Sequence, residues 1–215
     1  PHSDSPASLL SSRAMDDARR AVLQFFDADE AVYDVVWTSN ASGGLRVVGE
    51  SYDWRGRKVV LPRDAHNSVN GIARLAQAGG GTFEIVEFDT SSSSGAQKDT
   101  ISRAAYLSHL TKPGPKGIAL FTGQSNISGA KLDLSLLPLA HSLGWHVALD
   151  AAALAPTTRI SLRALRNSVD FMVVSLYKIC GLPTGVGALV MRKERYEDMT
   201  MKRTFFGGNI KGITM

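Results

Sequence analysis

Short, almost continuous apolar runs take turns with longer amphipathic stretches along this whole chain, and that alternation limits the folds open to it more than any other feature. Runs of this kind, bounded by turn residues, read as buried strands, while apolar residues three and four apart read as one face of a helix. VYDVVWT at 32–38, KVVL at 58–61, FEIVEF at 83–88, IALFT at 118–122, VALD at 147–150, FMVVS at 171–175 and GALVM at 187–191 are the strand candidates, with Pro62 interrupting the second. Between them, residues 13–27 place Ala14, Ala18, Val22 and Phe26 at helical spacing, and residues 40–44 form a turn that opens another helix. Residues 68–78 place Val69, Ile72, Ala73 and Ala76 on one side, and glycines 79–81 stop that helix. Further helices are expected at 101–110, 134–143 and 162–165, and SSSSG at 91–95 reads as a polar surface loop. Strands apolar on both faces need cover on both. The expected fold is therefore α/β, a mostly parallel sheet with helices on both faces, in one domain.

Charge and cysteine content narrow the function. A chain of 215 residues is long enough for one sizeable core. Its net charge of +4 is scattered. The tightest basic group, 192–202, is interleaved with Glu194, Glu197 and Asp198 and reads as a solvated helix face, so no nucleic-acid partner is expected. A phosphorylated small ligand is a better use of a slight positive excess. Cys180 is the one cysteine, which excludes an intramolecular disulfide and a CxxC metal site, and no metal is expected. No apolar run approaches the roughly 20 residues that span a bilayer, so the expectation is no membrane and a reducing, cytoplasmic setting. The opening PHSDSPASLL has no apolar segment of a leader, and a start at Pro1 points to a piece of a longer protein.

In sheets of this class ligands bind beyond the carboxyl ends of the strands, so chemistry is expected at those ends. SNASGG at 39–44 offers free backbone N–H groups at a helix start, which suit a phosphate; taken alone the segment reads first as an ordinary N-cap, and without GK[ST] it is no Walker loop. Asp150 ends an apolar strand. A buried carboxylate there needs a partner, which a protonated ring nitrogen supplies, as does a capped helix or an ion pair. Lys178, between FMVVS and CGLPTG, is placed for nucleophilic amine chemistry or for snorkelling from a strand end. His66 can stack on a flat ring, move protons or serve structure alone. Asn126 can bond a ring hydroxyl or hold the turn before Gly129. Cys180 reads as a small buried filler in preference to a reactive thiol. GVGALV at 185–190 lacks the third glycine of a dinucleotide fingerprint and sits inside and before a strand where a helix is required.

Taken in this order, the pieces resemble the class V aminotransferase family, which includes the cysteine desulfurases. The family's lysine loop reads approximately S-x-H-K followed by G-P-T-G, and here it is SLYKICGLPTGVGAL; the resemblance runs over 32–208. Tyr177 before the lysine, the extra Leu182, LDAAAL at 149–154 and FFGGN at 205–209 look like the amino-terminal domain of the molybdenum cofactor sulfurase branch. The resemblance implies that residues 1–215 form a single large domain of PLP (pyridoxal 5'-phosphate) fold type I, with the small domain largely outside it. It implies PLP as cofactor, with Lys178 carrying it as a Schiff base, Asp150 on the pyridine nitrogen, His66 stacked on the ring and Asn126 on the ring oxygen or substrate. Ala41, Ser42 and Ser175 would hold the phosphate. Lys178, His66 and Asp150 are thus the catalytic candidates. A homodimer is implied, with Gly207 and Gly208 in a loop that approaches the neighbouring subunit. The implied activity is a PLP-dependent transferase that takes sulfur from L-cysteine. Aminotransferase, epimerase or β-lyase chemistry would share the same cofactor groups, and a truncated module that catalyses nothing is a further reading. Three departures mark the chain: Ala153 stands where desulfurases usually carry glutamine, Tyr177 replaces a histidine, and the family's nucleophilic cysteine falls downstream, beyond Met215.

Overall fold

The apolar runs become the strands β1 (Tyr33–Thr38), β2 (Lys58–Pro62), β3 (Thr82–Val86), β4 (Ile118–Thr122), β5 (His146–Asp150), β6 (Phe171–Ser175) and β7 (Gly187–Arg192). A computed structural model describes residues 4–88, 101–181 and 185–199. The loop at 91–95, Leu182, the FFGGN segment and its Gly207 and Gly208 lie outside the described residues. The strands form one sheet in the order β1-β7-β6-β5-β4-β2-β3. Every pair from β6 to β3 is parallel, and β7 runs antiparallel to both its neighbours. The mostly parallel α/β sheet is as expected.

Side-chain alternation along each strand divides the core into two layers. Val60, Phe121, Leu149, Met172 and Val190 face a layer built with α1 (Pro6–Phe25), α4 (Arg103–Leu110) and α5 (Leu136–Ser142). Val59, Leu120, Ala148, Val173 and Leu189 face the other, built with α2 (Ala41–Ser51) and α3 (Asn67–Ala78). Each buried aliphatic side chain is worth about 1.5–3 kcal/mol, so both faces of the sheet depend on their helices. Gly44 lets α2 lie close on the sheet, since a Cβ there would stand 2.8 Å from Val173 Cγ1.

The differences from the sequence reading have local causes. Helix α1 starts well before residue 13, because Ser5 caps it by accepting the Ser8 N–H and Pro6 suits its first turn. Its early turns are exposed and so show no apolar period. Pro62 closes β2 rather than interrupting it. Residues 162–165 are turns, not a helix; Arg166 and Asn167 then take φ of 57 and 51, and the Leu162 N–H donates to the Phe26 carbonyl. The basic group at 192–202 is not simply a solvated face. Arg195 Nε lies 3.2 Å and Arg192 Nε 3.8 Å from Oδ1 of Asp170, which is 0% exposed. Asp170 Oδ2 accepts the Val147 N–H at 2.7 Å. Burial pushes this carboxyl up, opposed by the Val147 N–H and the arginines. Those guanidiniums are spent on a buried charge that needs them.

Candidate functional site

Strands β1, β2, β4, β5 and β6 all end at one rim of the sheet, and β7 starts there. Ala41, Ser42, His66, Asn126, Asp150, Ser175 and Lys178, every residue singled out for a site, line one pocket at that rim. Asn40, Ser68, Thr122, Gln124, Ala152, Ala153 and Tyr177 complete its wall.

One corner is the start of α2. Asn40 is fully extended and its side chain accepts the Gly43 N–H at 2.9 Å, while Ser175 Oγ accepts the Ala41 N–H at 3.0 Å. Gly187 makes this clamp possible: a Cβ there would stand 2.5 Å from Asn40 Cα and 2.7 Å from the Val174 carbonyl oxygen. The N-cap reading and the anion-cradle reading of this segment are therefore compatible. Side chains occupy the Ala41 and Gly43 amides, and the Ser42 N–H that remains in the first turn, at the positive end of the helix, suits an anion.

Asp150 forms the floor and is 7% exposed. Its Oδ1 accepts the Ala152 N–H at 3.0 Å. Burial pushes its carboxyl up, against the downward pull of that N–H and of His66 and Lys178. Thr122 pairs with Asp150 across the parallel β4–β5 ladder. Its hydroxyl is buried with no hydrogen-bond partner among the described residues. Buried polar atoms in native proteins have partners, so this one lies where a polar ligand atom fits.

His66 caps α3, with Nδ1 accepting the Ser68 N–H at 3.2 Å and lying 2.8 Å from Ser68 Oγ. Lys178 sits on a single helical turn, α6 (Leu176–Cys180), rather than in a loop; Gly181 ends the turn at φ 66. Its Nζ is 5.9 Å from the centre of the Tyr177 ring. Cys180 is exposed, not a buried filler, because so short a surface turn buries none of its own residues fully. Asn126 stands in a turn held by Ser125 Oγ, which accepts the Ile127 N–H at 3.2 Å. Thr122, Gln124 and Ser68 were missed as site residues. All three lie at or beyond the carboxyl ends of β2 and β4, where chemistry was expected, so the signal was position, not residue type.

A pocket with an amine, a buried carboxylate and a helix start fits several cofactors. Comparison with known families decides among them, because residues 3–215 match the model described as aminotransferase class-V. The chain belongs to the class-V aminotransferase family. PLP is the cofactor that goes with that membership. This class-V chain is 32% identical over 239 residues to a molybdenum cofactor sulfurase of Oryza sativa subsp. japonica, covering 97% of the chain and 28% of that protein. It is 33% identical over 224 residues to one of Aspergillus clavatus, covering 98% and 24%. The chain thus spans about a quarter of the curated relatives it matches. Its fold superposes on the apo structure of a cysteine desulfurase from Thermococcus onnurineus NA1 with a TM-score of 0.80 at 24% identity, covering 99% of this chain and 51% of that one. The residues of the class-V pocket fit PLP: a buried carboxylate with no ion pair among the described residues, a hydroxyl without a partner among them, a helix-start anion corner and one lysine amine.

Proposed function

We propose that this pocket serves PLP-dependent sulfur transfer from L-cysteine, in the large domain of a longer chain that works as a homodimer. What carries the reading is the convergence of Lys178, Asp150 and the α2 start on one pocket that also holds the buried Thr122 hydroxyl, which has no hydrogen-bond partner among the described residues. Lys178 supplies the amine that binds the cofactor and afterwards carries the proton at the substrate α-carbon. Asp150, kept from water, holds a protonated ring nitrogen. Ala41, Ser42 and Ser175 hold the phosphate, His66 lies against the ring, and Asn126 meets a ring oxygen or the substrate. When bound, PLP supplies an electron sink for the electron pair left at the α-carbon.

The net change balances as L-cysteine plus a thiol giving alanine plus a persulfide: a carbon–sulfur bond breaks and a sulfur–sulfur bond forms. The attacking thiol comes from outside residues 1–215, where the resemblance places it. Ala153, which lines the pocket where desulfurases usually carry glutamine, favours the sulfurase branch over a housekeeping desulfurase.

The test is a visible absorbance spectrum with PLP, before and after borohydride, for wild type and Lys178→Ala. A band that borohydride removes, absent from the variant, is expected; no band in a folded wild-type sample overturns the cofactor assignment. Persulfide trapping on the full-length protein with L-cysteine then tests the reaction. A loaded protein that turns over amino acids without forming a persulfide belongs to another PLP chemistry.

A further inference from the structure

We propose that the N-cap of α3 holds His66 as its Nε2–H tautomer, so that the ring presents a hydrogen-bond donor to the pocket and no bare nitrogen. The functional consequence rests on the PLP reading above; the tautomer itself does not. A backbone N–H can only donate, and that of Ser68 meets His66 Nδ1 at 3.2 Å. Nδ1 must therefore offer its lone pair. The Ser68 hydroxyl, 2.8 Å from the same nitrogen, brings a second hydrogen to it. With Nδ1 an acceptor, the neutral ring carries its hydrogen on Nε2.

The arrangement is set by the helix, not by the pocket. The first amides of any helix lack internal partners, and a capping side chain normally supplies an oxygen. Here an imidazole nitrogen does so. The direction of the Ser68 N–H is fixed by the packing of the helix it opens, since Val69 and Ile72 are buried in the core layer under α3. Nδ1 of His66 thus belongs to α3, while the residue lines the pocket and its ring stays exposed. A histidine held this way cannot take a proton from substrate at Nε2. It can donate to an acceptor there, such as the carboxylate or thiolate of an amino acid, and the base that works at the α-carbon is Lys178.

Long-range proton–nitrogen NMR of the 15N-histidine-labelled chain at mildly alkaline pH, first without PLP, reads the tautomer directly. His66 is assigned by its loss in His66→Asn, whose side chain also caps a helix and keeps α3 in place. The expected result is the Nε2–H form in roughly tenfold excess, the ratio that one net hydrogen bond supports. Ser68→Ala, which removes the hydroxyl and keeps the amide, should retain that excess. A wild-type ring in the Nδ1–H form, or an even mixture, overturns the proposal; so does loss of the excess in Ser68→Ala, which would move the lock from the amide to the hydroxyl. Failure to bind PLP with the tautomer intact would count against the function instead.

Discussion

At position 146 a histidine opens β5 at the end of the sheet away from the pocket, and both its ring nitrogens are engaged. Arg195 Nη1 donates to Nε2 at 2.8 Å, and Nδ1 lies 2.8 Å from the Tyr52 hydroxyl, which also accepts from Arg57 Nη1 at 2.7 Å. Asp198 Oδ2 accepts from Arg195 at 2.8 Å. Burial first, then the Arg195 charge, holds His146 down at about 4 from an ordinary 6.5. The unfolded chain therefore binds a proton between those values that the folded chain refuses, so stability falls as pH drops through that window. Discounted for partial exposure, the loss should be about 2 kcal/mol. Urea midpoints measured across pH should show wild type and His146→Gln converging in stability as acid is added; parallel curves would remove His146 from the account. Single residues differed in how far the sequence exposed them. Asp150 and Lys178 were legible because an apolar run stops abruptly at an ionisable group. The Asp170–Arg195 pair and the orphaned Thr122 hydroxyl were not, because their meaning depends on which neighbour lies across the sheet.

Among the elements, the start of α2 depends on a clearance that one hydrogen atom fills. Gly187→Ala would drive a methyl group into Asn40 and the Val174 carbonyl, both backbone, so β7 or the helix start must shift. The expected cost is about 1–3 kcal/mol, as for other overpacked sites. PLP affinity, measured by titrating its absorbance, should fall at least about tenfold if the α2 start holds the phosphate. Gly71 in α3 is the control, because a Cβ there meets nothing within 4 Å. Gly71→Ala should leave the affinity unchanged and raise stability by up to about 1 kcal/mol. If the two variants bind alike, the α2 cradle is wrongly placed. The strands were readable as short continuous apolar runs, and the longer helices because their period extends over several turns. Helix α6 was not: LYKIC makes one turn, too short for any period, and Gly181 ends it in the left-handed region.

Across the whole molecule, one sheet serves two core layers, each with its own buried tryptophan, Trp145 in one and Trp54 in the other. Leu137→Ala in the first layer and Leu120→Ala in the second should each cost about 3 kcal/mol. Both should lower one shared transition, seen alike by circular dichroism and by either tryptophan. Two separated transitions would show the layers to be independent. The sheet order carries a consequence for how the protein is made. β1 lies at one edge and, among the described residues, pairs as a strand only with β7. A chain leaving the ribosome amino end first must hold residues 33–38 without that strand partner until residues 187–192 have emerged. Such distant pairings form slowly and leave a growing chain open to aggregation. The vitamin-derived cofactor can thus be captured only after the strand at 187–192 has reached back to the one at 33–38.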